Sequence, residues 1–248
     1  WSDNGRGLLL VDRHLEKNAG TTFRGLLHLN EKLGHCMFWG FQQRSPAWRR
    51  AMAALSNLTA DSVPPRLCIE AHTGIDHGVA WLTRLEQLVG LRALYARRRV
   101  EMDVVLVLRL REPLAHYVSF YLWTVAERQA HNPQKFGRSF VEWAQAVPNL
   151  QSELLLSSAN AQHASFAPLD HPNIRAWRTR WAEPASRAKR TKLVWATLRK
   201  FDVVGTSERF DEFALALGRR LNWSIAAVAL PSRHNWQIPG AEGARCSS

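Results

Sequence analysis

Apolar residues along this chain fall into two alternating patterns. Leu8-Leu9-Leu10-Val11-Asp12 reads as a short buried strand after Gly7. Val104 to Leu108 is an unbroken run of β-branched residues and leucine inside 102–113, the mark of a strand covered on both faces of a parallel sheet, and Pro113 ends it. Residues 66–72, after Pro64-Pro65, and 202–206 read as further strands. Between the strands the period lengthens. From Thr21 to Leu33, Phe23, Leu26, Leu27 and Leu33 share one helical face, and Gly34 stops it. Residues 45–58 predict a helix with Ser45 as N-cap and Pro46 in the first turn. Helices are also expected over 77–90, 114–130, 139–147, 190–201 and 209–223, with a polar, proline-bearing loop over 157–176. The tail from Pro231 carries little pattern and is expected to be a loop or disordered. Strands alternating with helices predict an α/β three-layer sandwich, a central parallel sheet flanked by helices. No break in composition marks a second domain, so one domain over 1–248 is expected.

Composition changes the picture mainly through charge. Thirty-three Lys and Arg against 21 Asp and Glu give +12 and a sequence pI near 10.6. Such a field attracts polyanions: nucleic acid, anionic lipid or acidic polysaccharide. The run Arg97-Arg98-Arg99 before the central strand reads as a solvated turn or as part of a polyanion track. Cys36, Cys68 and Cys246 are too few for a disulfide scaffold or a zinc site; one disulfide is possible, and Cys68, in an apolar stretch, reads as a small core residue. No window approaches the about 18 apolar residues of a membrane span, and no signal peptide is visible. The chain opens on Trp1, so a missing anchor says little about a parent protein. Asn57-Leu58-Thr59 and Asn222-Trp223-Ser224 fit the N-glycosylation pattern.

The corner between the first strand and the first helix holds the candidate chemistry. It reads HLEKNAGTTF, residues 14–23. A helix starting near Thr21 aims unpaired N–H groups and the positive end of its dipole at the carboxyl edge of the sheet. Gly20 lets the backbone approach a phosphate, Thr21 and Thr22 add hydroxyls, and Lys17 adds a mobile charge. The plain alternative is a strand-to-helix turn capped by a threonine. In a nucleotide triphosphatase the lysine would follow the last glycine and a Ser or Thr would hold magnesium. Here Lys17 precedes Gly20, and the strand ends in Arg109 and Arg111 rather than in an acid. Both departures disfavour a magnesium triphosphate and suit a donor neutralised by protein side chains.

HLEKNAGTTF resembles the 5′-phosphosulfate loop of sulfotransferases that use 3′-phosphoadenosine 5′-phosphosulfate (PAPS), which in the Golgi carbohydrate branch reads roughly H-x-x-K-x-G/A-G-T-[ST]-F/L. LREPLAHYVSFY (110–121) resembles the 3′-phosphate unit, with Arg111 and Ser119 at the family's eight-residue offset. PNLQSELL (148–155) and LRKFDVVGTSERFDEFALAL (198–217) are similar to two further segments of that branch, and the four occur in the family's order. The resemblance implies a P-loop-like fold and sulfuryl transfer from PAPS to a carbohydrate hydroxyl, with no metal required. Lys17 would meet the bridging oxygen of the leaving nucleotide. Asn18, Ala19, Gly20, Thr21 and Thr22 would hold the 5′-phosphate, and Arg111 with Ser119 the 3′-phosphate. The family often has arginine where this chain has His116.

His72 is the candidate general base, by resemblance to the uronyl 2-O-sulfotransferase branch. Glu70, which shares its face on a regular strand, and His77 are the alternatives. Asn149 and Gln151 would touch the acceptor. An anionic glycan fits the basic charge, with Arg24, Arg49, Arg50 and Arg97–Arg99 as contacts and Trp39, Trp48 or Trp143 as sugar platforms or core residues; nucleic acid is not expected. The resemblance further implies a glycoprotein in the Golgi lumen, the luminal part of a type II membrane protein whose anchor lies outside this sequence. Other readings are a tyrosylprotein or small-molecule sulfotransferase, a non-catalytic polyanion-binding protein of the same fold, and a nucleoside kinase or triphosphatase.

Overall fold

The computed structural model describes residues 6–40, 45–72, 81–132, 138–156, 167 and 171–228. Five strands form one parallel sheet: β1 (Gly7–His14), β2 (Met37–Trp39), β3 (Arg66–His72), β4 (Met102–Leu110) and β5 (Val203–Thr206), in the order β2-β3-β1-β4-β5. The expected α/β class and the parallel sheet flanked by helices are both present. β2 goes beyond the sequence reading: a three-residue edge strand that starts on an exposed Met37 has too little pattern to be seen.

The apolar runs are unbroken because each face of the sheet carries a core. Leu9 and Val11 of β1 and Val104, Leu106 and Leu108 of β4 pack with Trp48, Leu85, Leu88, Trp143 and their neighbours on one face. Leu8, Leu10, Val105 and Val107 pack with Phe23, Leu26, Leu27, Phe213 and Leu217 on the other. Each fully buried aliphatic side chain contributes about 1.5–3 kcal/mol over leaving it in water. Helix α1 (Gly20–Lys32) covers the second face together with α10 (Phe210–Leu221) and α11 (Ile225–Val228).

The first face is covered by α2 (Ser45–Ser56), α3 (Trp81–Arg98), α4 (Pro113–Phe120), α6 (Phe140–Ala146), α7 (Leu150–Leu156) and α8 (Pro172–Ala182), with α9 (Pro184–Leu198) at its margin. The helix after β1 therefore turns to one face while those after β3 and β4 turn to the other. The loops part above the carboxyl end of β1, where open α/β sheets hold their ligands.

Several elements differ from the sequence reading. The helix expected over 77–90 runs from Trp81 to Arg98 among the described residues, so Arg97 and Arg98 form its last turn and Arg99 turns the chain at φ 56°. The helix expected over 114–130 is interrupted: α4 passes into a π-helical segment, Tyr121–Ala126, before α5 (Glu127–His131). The loop expected over 157–176 gives way to α8 at Pro172, because proline at the first helical position starts a helix rather than breaking one. The helix expected from 190 begins at Pro184 for the same reason, capped by Glu183. Cys68 is buried, but as half of a disulfide with Cys36 that ties the start of β2 to β3. Trp48 and Trp143 are core residues with no exposed ring to offer a sugar, and Trp39 is half-buried. Cys246, His77 and the tail from Pro231 lie outside the described residues.

Candidate active site

Strand alternation puts a polar set on the α1 face at the carboxyl edge. Asp12 and His14 follow Leu8 and Leu10 on β1; Glu70 and His72 follow Cys68 on β3; Arg109 follows Val107 on β4. Register makes Asp12 the neighbour of Glu70 and His14 the neighbour of His72. Two carboxylates side by side in a buried layer demand cations. Arg109 meets Asp12 through two hydrogen bonds of 2.9 Å, and Arg24 from α1 meets Glu70 through two of 2.7 Å. His14 adds a hydrogen bond to Glu70. Burial would raise the Glu70 carboxyl, but the Arg24 and His14 contacts outweigh it and hold it at about 2. Glu70 shares a face with His72, as expected. As an ionised, doubly engaged carboxylate it is poorly placed to act as a general base.

The loop between β1 and α1 is held from outside. Three consecutive carbonyls accept from three side chains of the neighbouring strand–helix unit: Glu16 O from His116 Nε2 (3.1 Å), Lys17 O from Arg111 Nη1 (3.0 Å) and Asn18 O from Arg109 Nε (3.2 Å). In a trans peptide the N–H points opposite its carbonyl, so this pull turns the N–H groups of residues 17–19 away from β4 and α4. Lys17 (φ 65°) and Ala19 (φ 58°) both adopt left-handed conformations. That arrangement is costly for non-glycine residues; Asn18 N donates back to Leu15 O (3.3 Å), which leaves the N–H groups of Lys17 and Ala19, with those of the first turn of α1, as the candidates to meet an anion. Ala19 is the N-cap of α1 and no side chain caps it. The capping threonine of the plain alternative is therefore absent. Gly20, Thr21 and Thr22 supply the first-turn N–H groups that no intrahelical acceptor can reach.

Gly20 has a second reason to be glycine. A Cβ there would fall within 3.0 Å of Nε2, Cε1 and Cδ2 of His14. The close approach that requires glycine is to an imidazole, not only to a ligand.

Lys17 Nζ lies 5.4 Å from the ring centroid of Trp123, which is 41% exposed. Burial, and then the charge of Arg111, lower the Lys17 pKa. Arg111 keeps 31% of its side chain exposed beside Lys17. Ser119, half-buried, stands on α4 three residues after His116, which reaches the loop, so the two share a face; Trp123, which meets Lys17, follows in the π-helical segment. His116 is buried with its pKa lowered to about 4, chiefly by burial. An uncharged clamp on the loop, it does not act as the anion contact that an arginine at this position would make.

Gln151 on α7 completes the wall. Its amide oxygen accepts from Arg111 N (2.9 Å) and Asn18 Nδ2 (3.1 Å), and its nitrogen donates to Arg111 O (2.7 Å). Asn18, whose side chain also donates to Arg109 O, is wholly buried. Next to Arg111 opens a cavity of about 550 Å³, lined by apolar side chains such as Leu110, Tyr117 and Leu198 and by the polar rim of Glu112, Thr206 and Glu208. Asn149, at φ 56°, lines the same cavity.

His72 faces Glu16, with Nδ1 3.5 Å from Oε1, and meets His14 edge-on at 4.6 Å between centroids. The sequence reading places its titration near working pH. Burial, followed by the charge of His14, instead pushes it to about 3, so the ring stays neutral across the physiological range. Burial also raises the Glu16 carboxyl to about 7. Asp12, His14, Glu16 and Arg109 were not among the expected site residues. The available signal was a charge inside an apolar run on each of two strands, of opposite sign.

Comparison of the chain with protein-family models, curated proteins and solved structures returned no match. The site stands on its own geometry. Among the described residues, no group of three or more His, Cys, Asp or Glu side chains is arranged to hold a metal ion. No described helix is long and apolar enough to cross a membrane.

Proposed function

We propose that this chain is a PAPS-dependent sulfotransferase with a P-loop-like donor site, acting on a hydroxyl of an anionic carbohydrate. The observation that carries the reading is the 3.0 Å hydrogen bond from Arg111 to the carbonyl of Lys17. It joins a 5′-phosphate cradle and a second, guanidinium-bearing anion site into one continuous surface, as a nucleotide with phosphates on both its 3′ and 5′ sides requires. The 550 Å³ cavity beside Arg111 is large enough for a nucleoside, and its apolar lining suits a flat base. Its two rim carboxylates, Glu112 and Glu208, make it a poor phosphate site and favour the Lys17 and Arg111 side for the phosphates, where a 3′-phosphate would take the place of Glu208, 3.9 Å from Arg111 Nε.

The residues divide the chemistry as follows. The N–H groups of the cradle and of the first turn of α1 neutralise the 5′-phosphate. His72 takes the proton of the attacking hydroxyl as its oxygen bonds to sulfur; burial leaves the ring a weak base by itself, and Glu16 on Nδ1, whose carboxyl burial raises to about 7, supplies the basicity and balances the charge. Lys17 meets the negative charge left on the bridging oxygen as the sulfur–oxygen bond breaks, and its lowered pKa eases proton donation there. The Cys36–Cys68 disulfide suits an oxidising compartment, which supports a secretory, Golgi-lumenal protein.

A thermal-shift titration with 3′-phosphoadenosine 5′-phosphate, AMP and ATP tests the donor. At a hundred times Kd the bisphosphate should stabilise the protein by about 2.7 kcal/mol, and AMP far less. Arg111→Ala should erase the preference for the bisphosphate over AMP. Lys17→Ala and His72→Ala should keep bisphosphate binding but lose sulfuryl transfer from labelled PAPS to glycan. Equal shifts with all three nucleotides, or no shift, would overturn the proposal.

A further inference from the structure

The second concentration of charge lies away from the donor loop. Residues 172–200, which span helices α8 and α9 and the cap that follows, hold nine Lys or Arg against one acid, Glu183, a surplus of eight within a chain of net +12. From Pro184 to Phe201 there is no acid at all. Ordinary solvated surfaces intersperse both signs.

The cations divide by location. Arg180 and Arg190 turn inward to the buried Glu153, and Lys200 pairs with Glu86. Glu183 is occupied at the α9 N-terminus, accepting from Ala185 N and Ser186 N. Arg175, Arg178, Arg187, Lys189, Lys192 and Arg199 face solvent and form no salt bridge among the described residues. Among them stands Trp195, with 59% of its surface in water. Spacings of three and four residues set Lys192, Trp195 and Arg199 on one face of α9. A large exposed indole flanked by cations matches a sugar ring bearing acidic groups: the ring stacks on the indole while its sulfates or carboxylates pair with the cations.

The inner face of α9 carries Val194 and Leu198, which line the cavity beside Arg111. A polymer lying along the outer face therefore passes within about one helix diameter, roughly 10 Å, of that cavity.

We propose that the solvent face of α8 and α9, centred on Lys192, Trp195 and Arg199, is an exosite that holds an acidic polysaccharide beside the donor site. This rests on the proposed function for the choice of a glycan over other polyanions. The Cys36–Cys68 disulfide, which favours a compartment without nucleic acid, supports the same choice.

The test measures binding of a heparin-derived dodecasaccharide to the whole chain by calorimetry. Lys192→Glu/Arg199→Glu should weaken it at least about ten-fold at near-physiological salt and flatten its salt dependence. Trp195→Ala should weaken it about five-fold with the salt dependence kept. The milder Lys192→Gln/Arg199→Gln gives an intermediate loss and guards against misfolding of the reversal. All variants should keep the wild-type melting temperature and bisphosphate shift. Unchanged dodecasaccharide affinity would overturn the exosite. Tighter binding of duplex DNA or of phosphatidylserine vesicles, lost in the same variants, would overturn the polysaccharide as its occupant. A wild type that binds the dodecasaccharide through this face but gives no bisphosphate shift would overturn the donor reading and leave the exosite supported.

Discussion

Gly20 opens α1 beneath the imidazole of His14, and an alanine there probes how the site is braced. Its Cβ would lie within 3.0 Å of three ring atoms, closer than real Cβ contacts come. The ring has nowhere to swing. It is buried, hydrogen-bonded to Glu70 and packed edge-on against His72, while Glu70 is fixed in turn by two 2.7 Å bonds from Arg24. Relief comes only by shifting the first turn of α1 or by breaking the chain of His14, Glu70 and Arg24. Overpacking of this kind costs about 1–3 kcal/mol, against a gain of at most about 1 kcal/mol from alanine's helix propensity. Gly20→Ala should therefore lower Tm by roughly 2–10 °C in a domain of this size.

The decisive comparison is a double-mutant cycle in reversible denaturation. With His14→Ala the obstruction is gone, and Gly20→Ala should become neutral or stabilising by up to about 1 kcal/mol, a coupling equal to the overpacking cost of about 1–3 kcal/mol. If Gly20→Ala costs the same in both backgrounds, the steric argument is wrong. A fall in bisphosphate affinity in both, without a stability change, would mean that the glycine serves the ligand instead.

Acid should also act on this cluster. Glu70 is depressed to about 2 in the folded state, below its ordinary value of 4.5, so its contribution is present above about pH 4.5 and lost as pH falls toward 2. His72 and His116, held neutral with pKa values near 3 and 4, cost stability over the higher window that begins near 6.5, because the unfolded chain takes up their protons first. In denaturant titrations from pH 6 to 2.5, Glu70→Gln should flatten only the segment below 4.5; curves parallel to wild type there would refute the assignment. Replacing Cys36 and Cys68 together by alanine opens a loop of sequence separation 32 and should cost about 3–4 kcal/mol by chain entropy. That should appear as a Tm drop of about 7–15 °C, and a drop under about 2 °C would show that the bridge constrains little.

How much of this was legible in the sequence follows from distance along the chain. β1 and β4 announce themselves because strands buried on both faces carry continuous apolar runs, Leu8 to Val11 and Val104 to Leu108, ahead of their charged ends. β2 does not, being a three-residue edge, and the π-helical segment has no sequence pattern of its own. Helix α8 was hidden by its charge, although Ile174, Trp177 and Trp181 keep helical spacing and are buried. Lys17 and Arg111 could be placed together because each follows a buried strand, and neighbouring strands bring their carboxyl ends to one edge. What holds them in place is long-range: Asp12 with Arg109 across 97 residues, and Gln151 with Asn18 across 133. No local pattern encodes such a pair; strand register does. Asp12 aligns with Val107 and with Glu70, and His14 with His72. A one-residue slip of β1 would turn its polar side chains from the α1 face to the face filled by Trp48 and Trp143. Asp12 and Arg109 would then be parted in a layer that tolerates neither charge alone. The apolar runs that fix the register thus also fix the site, so the Asp12–Arg109 pair and the cradle stand or fall with the packing of β1 between β3 and β4.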